Sequence, residues 1–183
     1  MEKDIKTLFE NNEAFNNILS RTSIRNYTDQ PIPEEIKSAL LHAGMAAPTG
    51  VNRQPWEFIL IDDSKILNAL AEALPYAKMT AYAPMAIAVC GNSTRFLEGE
   101  DSTLWVQDVS AASENILLAA HAFGIGAVWT CLYPHKDRME AAAHILKLPE
   151  GIIPFSLIPI GYPAKEHAPI DKWHADRVHI NRY

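Results

Sequence analysis

Two short segments of this sequence carry the side chains best suited to bind or transform a small molecule. In the first, Arg21, Ser23 and Arg25 alternate with other residues, so an extended backbone would place all three on one side. Two guanidinium groups and a hydroxyl suit a phosphate, because a guanidinium donates two parallel hydrogen bonds and the hydroxyl adds a third. Taken alone, the same residues also fit an ordinary solvated basic turn.

The second segment, residues 47–56, joins a predicted helix to a predicted strand. It contains proline and glycine, which end helices, together with the amide side chains of Asn52 and Gln54 and the indole of Trp56. A loop of this composition is suited to hold a planar polar ligand.

Other familiar catalytic patterns are missing or incomplete in the sequence. Gly124 and Gly126 lack the third glycine of a dinucleotide-binding motif, and they follow a predicted helix rather than a strand. The seven histidines show no metal-ligand spacing, and there is no GxSxG motif of a serine hydrolase. We therefore expect no metal site and no catalytic dyad of side chains.

Composition indicates the class of protein and its partners. The 183 residues, 48% hydrophobic and 21% charged, predict one globular domain over residues 1–183. A net charge of -6 disfavours nonspecific binding to nucleic acid, which needs a clustered basic surface. No signal peptide is evident, and the apolar run at 116–129 is shorter than the roughly 18 residues that a membrane span needs. We expect a cytoplasmic protein with neither a nucleic-acid nor a membrane partner.

The two cysteines, Cys90 and Cys131, are far apart in sequence and form no CxxC motif. This usage fits a reducing compartment better than a disulfide scaffold. We interpret both as buried thiols.

Hydrophobic periodicity predicts an α+β protein. The helices are expected over residues 3–19, 33–47, 64–74, 103–123 and 135–146, and the strands over 56–61, 85–90, 127–131 and 155–160. Ser64 is expected to cap its helix, and Pro33 to occupy the first position of another. The helix at 103–123 is apolar nearly all round, which predicts a central position. Gly124 and Gly126 are expected to end it and to allow close packing of the next strand.

The chain resembles the nitroreductase superfamily of FMN-dependent oxidoreductases in four segments that occur in the same order: residues 21–25, 47–56, 115–120 and 124–129. The likeness extends over essentially the whole chain. It implies a three-layer α+β fold with a mixed central β-sheet flanked by helices. It also implies an intertwined homodimer with swapped C-terminal tails and an FMN at each of two sites between the subunits.

The resemblance implies roles for individual residues by their positions. Arg21 and Ser23 correspond to contacts with the phosphate and ribityl chain, and Arg25 to the cation beside flavin N1 and the C2 carbonyl. The backbone of residues 130–132 corresponds to the segment that donates an N–H toward flavin N5. The complete implied set is Arg21, Thr22, Ser23, Arg25, Pro48, Thr49, Gly50, Asn52, Gln54, Lys78, Trp129, Thr130, Cys131, Leu132, Lys172 and Arg177.

Several members of this set have alternative interpretations. Gln54 either contacts the flavin or braces its own loop. Lys172 and Arg177 both lie where the family completes its phosphate site, with Lys172 preferred, and Lys78 is a candidate second cation near the flavin ring.

The substrate pocket is expected in the variable segment 92–105 and just after the strand at 127–131. Phe96 and Trp105 either cover the open flavin face or only pack the dimer, and Tyr133 lines the same pocket. No catalytic role is assigned to Cys131.

The implied activity is a ping-pong hydride transfer, in which NADH or NADPH reduces FMN and a nitroaromatic, quinone or similar electrophile is then reduced. Such an enzyme needs no side-chain acid or base at the reacting atom, because the flavin carries the chemistry. Two alternatives remain at this point. One is a flavoenzyme of the same fold with a dedicated task, such as dehalogenation, flavin fragmentation or peptide oxidation. The other is an FMN-binding storage or sensor protein without turnover.

Overall fold

The computed structural model describes residues 12–183. Its helices are α1 (Glu13–Ser20), α2 (Glu34–Met45), α3 (Ser64–Ala73), α4 (Trp105–Ala122) and α5 (Lys136–Leu146). Its strands are β1 (Trp56–Ile61), β2 (Met85–Asn92), β3 (Gly126–Ala127), β4 (Thr130–Cys131) and β5 (Ile152–Gly161). Short 3-10 turns lie at Gly50–Asn52, Lys78–Tyr82, Ser93–Arg95, Gly99–Thr103 and Ala175–Arg177.

The elements agree closely with those predicted from hydrophobic periodicity. Residues 3–11 of the first predicted helix lie outside the described residues, and its remainder is α1. The α+β class is as predicted. Within residues 12–183, no helix has the combination of length and apolarity needed to cross a membrane.

The strands form one sheet in the order β1-β2-β5-β3, with β4 also paired to β5. Every pairing between these strands is antiparallel. The predicted mixed sheet includes a parallel pairing, and none is present among the strands of residues 12–183.

Helices cover both faces of this sheet. Alternate residues of β2 point to opposite faces, so Ile87 and Val89 join one hydrophobic cluster while Ala86 and Ala88 join another. The first cluster includes residues of α2 and α4, and the second includes residues of α3 and α5. The result is the three-layer arrangement that the sequence predicted.

Helix α4 occupies the central position predicted for it. Val109, Ala112, Ile116 and Ala120 have no exposed surface and belong to the larger hydrophobic cluster. On its other side α4 packs on α2, where the Asn115 side chain donates a hydrogen bond to the Ala43 carbonyl over 3.0 Å. Helix α4 therefore packs against both the sheet and α2.

Three local predictions need correction. The cap of α3 is Asp63 rather than Ser64, because the Asp63 carboxylate accepts the N–H of Lys65 at 2.8 Å. Pro33 stands one position before α2 instead of at its first position. The single strand predicted over residues 127–131 is two short strands, β3 and β4, separated by residues 128 and 129.

The two glycines after α4 behave as predicted. Gly124 has a φ of +70°, the left-handed conformation that ends helices and favours glycine. At Gly126, a Cβ would lie 2.6 Å from the Cβ of Ile24. Only glycine therefore allows the backbone around Ile24 to lie against β3.

We predict that Gly126→Ala destabilises the protein by about 1–3 kcal/mol, because the added methyl overlaps Ile24 and forces a backbone shift. Denaturant unfolding measures the change. Gly50→Ala is the matched control, since a Cβ there meets the nearest atoms, in Leu97 and Leu104, at 3.7 and 3.9 Å, ordinary contact distances. Equal stability of the two variants would contradict the close packing at Gly126.

Candidate functional site

The cationic segment at residues 21–27 is fixed against the sheet. The Ile24 N–H donates to the Ala127 carbonyl of β3 at 3.1 Å, and the Ile24 side chain is buried. The Tyr27 hydroxyl donates to the carbonyls of Ile24 and Pro159, at 2.6 and 3.1 Å. Burial raises the pKa of Tyr27, partly offset by the charge of Arg25, so the hydroxyl stays a donor. With Ile24 held inward, Arg25 is exposed.

Arg21 lies against the C-terminal half of α4. Its Nε is 3.3 Å from Oε1 of Glu114, and its side chain is 16% exposed. Because this ion pair uses the Nε, the two terminal amino groups remain available to an anion. Thr22 and Ser23, the neighbours in the predicted phosphate site, are half-buried.

His121 adds a polar group beside Arg21. Its Nε2 lies 2.8 Å from the Ser20 hydroxyl. Burial lowers the pKa of His121, and the positive charge of Arg21 lowers it further. The neutral imidazole is therefore favoured, and the charged groups beside it are Arg21 and its partner Glu114.

The loop over residues 48–54 has an unusual backbone. Val51, Asn52 and Gln54 all have positive φ, at 50°, 56° and 49°. The left-handed conformation costs roughly 1–2 kcal/mol per residue other than glycine, and a β-branched valine is especially disfavoured. The surrounding contacts must offset a few kcal/mol of strain, which is typical of functional loops.

Gln54 braces this loop, which was one of its two predicted roles. Its backbone N–H donates to the Thr49 hydroxyl at 3.1 Å, and its side-chain amide donates to Oδ1 of Asn52 at 2.8 Å. Within residues 12–183, two hydrogen bonds to side chains elsewhere in the chain hold the loop: Arg95 donates to the Gln54 carbonyl at 3.1 Å, and the Gly50 N–H donates to Asp108 at 2.9 Å. Pro48, Asn52 and Gln54 are exposed, as a ligand-binding role requires.

Strand β4 lies beside the segment that precedes Lys78. Together they line a shallow open depression formed by Leu74, Pro75, Tyr76, Ala77, Thr130, Cys131, Leu132 and Arg138. Arg138 donates to the Cys131 carbonyl at 3.2 Å, and its guanidinium lies 5.0 Å from the Tyr76 ring centroid. Arg138 therefore fastens β4 to the segment beside it. Lys78 itself is exposed and donates to the Glu72 carbonyl.

The backbone hydrogen bonds of β4 limit which N–H of residues 130–132 could donate to a ligand. The N–H groups of Leu132 and Tyr133 both donate to the Phe155 carbonyl at 3.1 Å, so the Leu132 N–H is already engaged within the chain. The donor role of the segment 130–132 stays a prediction. Successive N–H groups of an extended strand point in opposite directions. In a regular strand, the Cys131 N–H would then point away from β5, which makes it the candidate donor of the segment 130–132.

Cys131 also differs from prediction in its exposure. Its thiol is exposed, whereas Cys90 is buried in β2 as expected. Burial raises the pKa of Cys90 to about 12. The reason for the difference is that β4 is a short edge strand of the sheet, while β2 lies between β1 and β5.

The predicted pocket residues Phe96, Trp105 and Tyr133 do meet. The rings of Phe96 and Trp105 stack with centroids 4.7 Å apart, and Tyr133 meets Trp105 edge-on at 5.0 Å. Trp105 is only 5% exposed and also contacts Phe155. It therefore packs in the core of its own chain, while Phe96 and Tyr133 are half-buried at the edge of this aromatic cluster.

Some predicted residues remain apart. Lys172 and Arg177 lie in an exposed tail, residues 164–183, and no contact within residues 12–183 joins them to the cationic segment. Trp129 is half-buried and packs edge-on against Phe155. In the same described part of the chain, no cluster of His, Cys, Asp or Glu is arranged to hold a metal ion.

The loop and the cationic segment contact α4 at different places. Gly50 meets Asp108 in the first turn, and Arg21 meets Glu114, six positions further on (108 to 114). These positions are about 9 Å apart along the axis and about 120° apart around it. Within one chain, the two predicted halves of the ligand site therefore face different ways.

Asp108, Glu114, Arg95 and Arg138 were not found by sequence reasoning. Asp108 gave one usable signal, since it is a lone acidic residue in the first turn of an otherwise apolar helix. The others look like ordinary surface charges in the sequence, and only the fold shows their partners.

Comparison with known proteins matches the chain to the model of the Nitroreductase family over residues 18–79 and 73–162. A relative from Methanothermobacter thermautotrophicus, provisionally named an NADH dehydrogenase/NAD(P)H nitroreductase, is 45% identical over 166 residues, which is 91% of this chain and 85% of the relative. A crystal structure from Bacteroides thetaiotaomicron with the same provisional name has a TM-score of 0.89 and 45% identity, covering 94% of this chain and 99% of the other. An FMN-dependent nitroreductase from Clostridium difficile has a TM-score of 0.84 and 26% identity, covering 92% and 99%.

We predict that a thiol reagent at pH 8 modifies one cysteine in the native protein and both after unfolding. The thiolate is the reactive form, and burial together with a raised pKa protects Cys90 while Cys131 is exposed. Mass spectrometry of the labelled protein measures the number of modified sites. Cys131→Ser is the control and should take up no label while folded. Labelling of Cys90 in the native protein would contradict its burial.

Proposed function

The chain belongs to the nitroreductase family, and from that premise we propose that it is an FMN-dependent oxidoreductase. In this proposal it takes electrons from NADH or NADPH and reduces small electrophilic molecules such as nitroaromatics or quinones. The FMN-dependent nitroreductase from Clostridium difficile, at 26% identity, supports the choice of cofactor.

The observation that carries the proposal is the placement of the exposed Arg25 and the exposed Cys131 along the same edge of the sheet. Ile24 is hydrogen-bonded to Ala127 of β3, which leaves Arg25 exposed beside that edge. The Cys131 N–H lies on β4, further along the same edge. A flavin needs these two groups, a positive charge near N1 and a donor near N5.

The residues present fit the chemical groups of FMN. Arg21 has free terminal amino groups for a phosphate, with the Ser23 hydroxyl two residues away. The exposed amides of the loop at residues 48–54 suit the polar rim of a planar ring. FMN, when bound, supplies the electron-transfer chemistry itself.

The protein's contribution is electrostatic and positional. The Arg25 guanidinium stabilises negative charge on the pyrimidine end of the ring, which favours the reduced cofactor. The Cys131 N–H, held by the contact between Arg138 and the Cys131 carbonyl, orients the ring at its reactive end. Phe96 and Tyr133 border the space where a flat substrate enters.

The site is proposed to be shared between two chains. Its two halves lie on different sides of α4, so a loop from a partner subunit is needed to complete it. The tail supports the same conclusion, because Ile170, Trp173 and Ile180 are 69%, 69% and 83% exposed in the single chain. Packing these side chains on a partner would remove a large apolar surface from water. Lys172 and Arg177 are the tail cations proposed to reach the phosphate.

We also propose a cytoplasmic location. Both cysteines are free thiols, as is usual for proteins of a reducing compartment, and the proposed nicotinamide donors are abundant there.

The purified protein is expected to be yellow, to elute at twice the 20.4 kDa mass of one chain, and to lose its flavin absorbance anaerobically on addition of NADH or NADPH. Adding a quinone or a nitroaromatic should restore the absorbance. Size-exclusion chromatography with absorbance detection, followed by anaerobic titration, measures all three properties.

The failures of this experiment point to different conclusions. A colourless protein that takes up no added FMN would overturn the proposal. A yellow dimer that neither nicotinamide bleaches would replace it with cofactor binding without turnover. A yellow monomer would overturn the shared site alone.

Two substitutions test the roles of the cations. Arg21→Ala should weaken FMN binding by about tenfold to a hundredfold, because a hydrogen bond to a charged group is worth about 1.5–3 kcal/mol. Arg25→Ala should mainly lower the flavin potential, by about 30 mV for each 1.4 kcal/mol of lost stabilisation. Equilibrium binding and redox titration measure the two effects.

Lys65→Ala is the control for these variants, since it removes an exposed charge from α3, outside every segment of the site. It should change neither affinity nor potential. The assignment of the cations is wrong if Arg21→Ala and Arg25→Ala behave like Lys65→Ala.

A further inference from the structure

We propose that Asp108 is the positioning residue of the loop at residues 48–54, holding it in the conformation that receives FMN. The Asp108 carboxylate accepts the Gly50 N–H at 2.9 Å, and the residue is only 8% exposed. Its role in cofactor binding rests on the proposed function. Its role in holding the loop does not.

The loop needs an external anchor because its own bonds are weakly protected. The loop contains two short-range backbone bonds, from the Asn52 N–H to the Thr49 carbonyl at 3.2 Å and from the Arg53 N–H to the Gly50 carbonyl at 3.0 Å, and both donor residues are exposed. The contacts from Gln54 to Thr49 and to Asn52 are exposed as well, so water competes for all these groups. These bonds must nevertheless hold three residues other than glycine at positive φ. The exposed bonds alone give little reason for the loop to keep this strained shape.

Of the two hydrogen bonds that join the loop to side chains elsewhere in residues 12–183, the one to Asp108 is better shielded. The Arg95 contact with the Gln54 carbonyl is exposed, whereas the Asp108 contact with Gly50 is partly buried. A hydrogen bond to a charged acceptor is stronger than one between neutral groups, and shielding from water increases the difference. Asp108 therefore fixes the start of the loop, just before Val51 and Asn52 turn into the left-handed conformation.

The position of Asp108 on α4 suits this task. The residue lies in the first turn of the helix, where the helix dipole stabilises a carboxylate. Val109 and Ala112 on the same helix have no exposed surface and pack in the core. The carboxylate therefore lies on a helix that is packed in the core, and its hydrogen bond fixes the surface loop to that helix.

Helix α4 does not depend on the Asp108 carboxylate for its own packing. The apolar residues that pack α4 in the hydrophobic core remain when the carboxylate is removed. Loss of the carboxylate should therefore release the loop with little effect on the fold. If Asp108 were needed only for stability, its loss would destabilise the fold without specifically releasing the loop.

The test compares Asp108→Ala with Asp108→Asn, which keeps a side-chain oxygen able to accept the Gly50 N–H. Ser113→Ala is the matched control, because Ser113 is fully buried on the same helix and hydrogen-bonds to Val109 rather than to the loop. Three quantities are measured for each variant: hydrogen exchange of the loop amides in FMN-free protein, the dissociation constant for FMN, and the midpoint of thermal unfolding.

Asp108→Ala should accelerate exchange at Gly50 and its neighbours and weaken FMN binding by about tenfold, the effect of losing a hydrogen bond to a charged acceptor. Asp108→Asn should recover most of the slow exchange and most of the affinity. Ser113→Ala should lower the unfolding midpoint while leaving loop exchange and FMN affinity at wild-type values.

The outcomes separate this inference from the proposed function. Unchanged loop exchange in Asp108→Ala would overturn the inference, whatever FMN does. A loss of affinity that merely follows thermal stability across all three variants would overturn it too, because Asp108 would then be structural only. Faster loop exchange in Asp108→Ala, in a protein that never binds FMN, would support the loop anchor and reject the proposed function.

Discussion

Strand β5 is hydrogen-bonded along both of its edges, and the positions of β4 and of the segment around Ile24 and Tyr27 depend on that double pairing. One edge pairs with β2, and the other pairs with β3 and β4. The carbonyls of Phe155 and Pro159 on the second edge hold Leu132 and Tyr27. Because a strand paired on both sides cannot slide without breaking both ladders, these anchor points are rigid. The cationic segment and β4 are therefore fixed relative to each other without touching.

Helix α4 organises the second part of the site. It is buried against the sheet, yet it carries polar groups at two levels, Asp108 near its beginning and Glu114 near its middle. Asp108 holds the strained loop and Glu114 holds a cation, and the two lie on different sides of the helix. A buried element thus controls two surface features that are distant in sequence, and the spacing between them is set by helix geometry rather than by flexible side chains.

The sequence predicted the elements well because their apolar runs have the lengths of strands and helices and are bounded by polar or turn-forming residues, as in β2 and α4. The prediction failed where the same local pattern fits two different structures. Residues 127–131 are apolar enough for one strand, but β5 pairs with the two ends and leaves the middle out of the ladder. Cys131 was misjudged for a related reason, because a residue on an edge strand is exposed even when its neighbours are not.

The same distinction applies to the residues of the candidate site. Arg21, Ser23, Arg25 and the loop were singled out by their residue types together with the family resemblance, and their binding roles stay predictions. Asp108 was missed because its partner is a backbone N–H, which leaves no trace in the residue type at position 50. The donor could be predicted only as the segment 130–132, because the direction of each N–H depends on strand register, which the sequence alone does not give.

The separation of the loop from the cationic segment around α4 also has a genetic consequence. With a site shared between two chains, each chain lends its loop to one site and its cations to the other. A chain defective only in its loop and a chain defective only in its cations could then assemble into a mixed pair with one fully intact site. Two such inactive alleles would therefore partly complement each other. A single allele defective in both the loop and the cations would form no intact site.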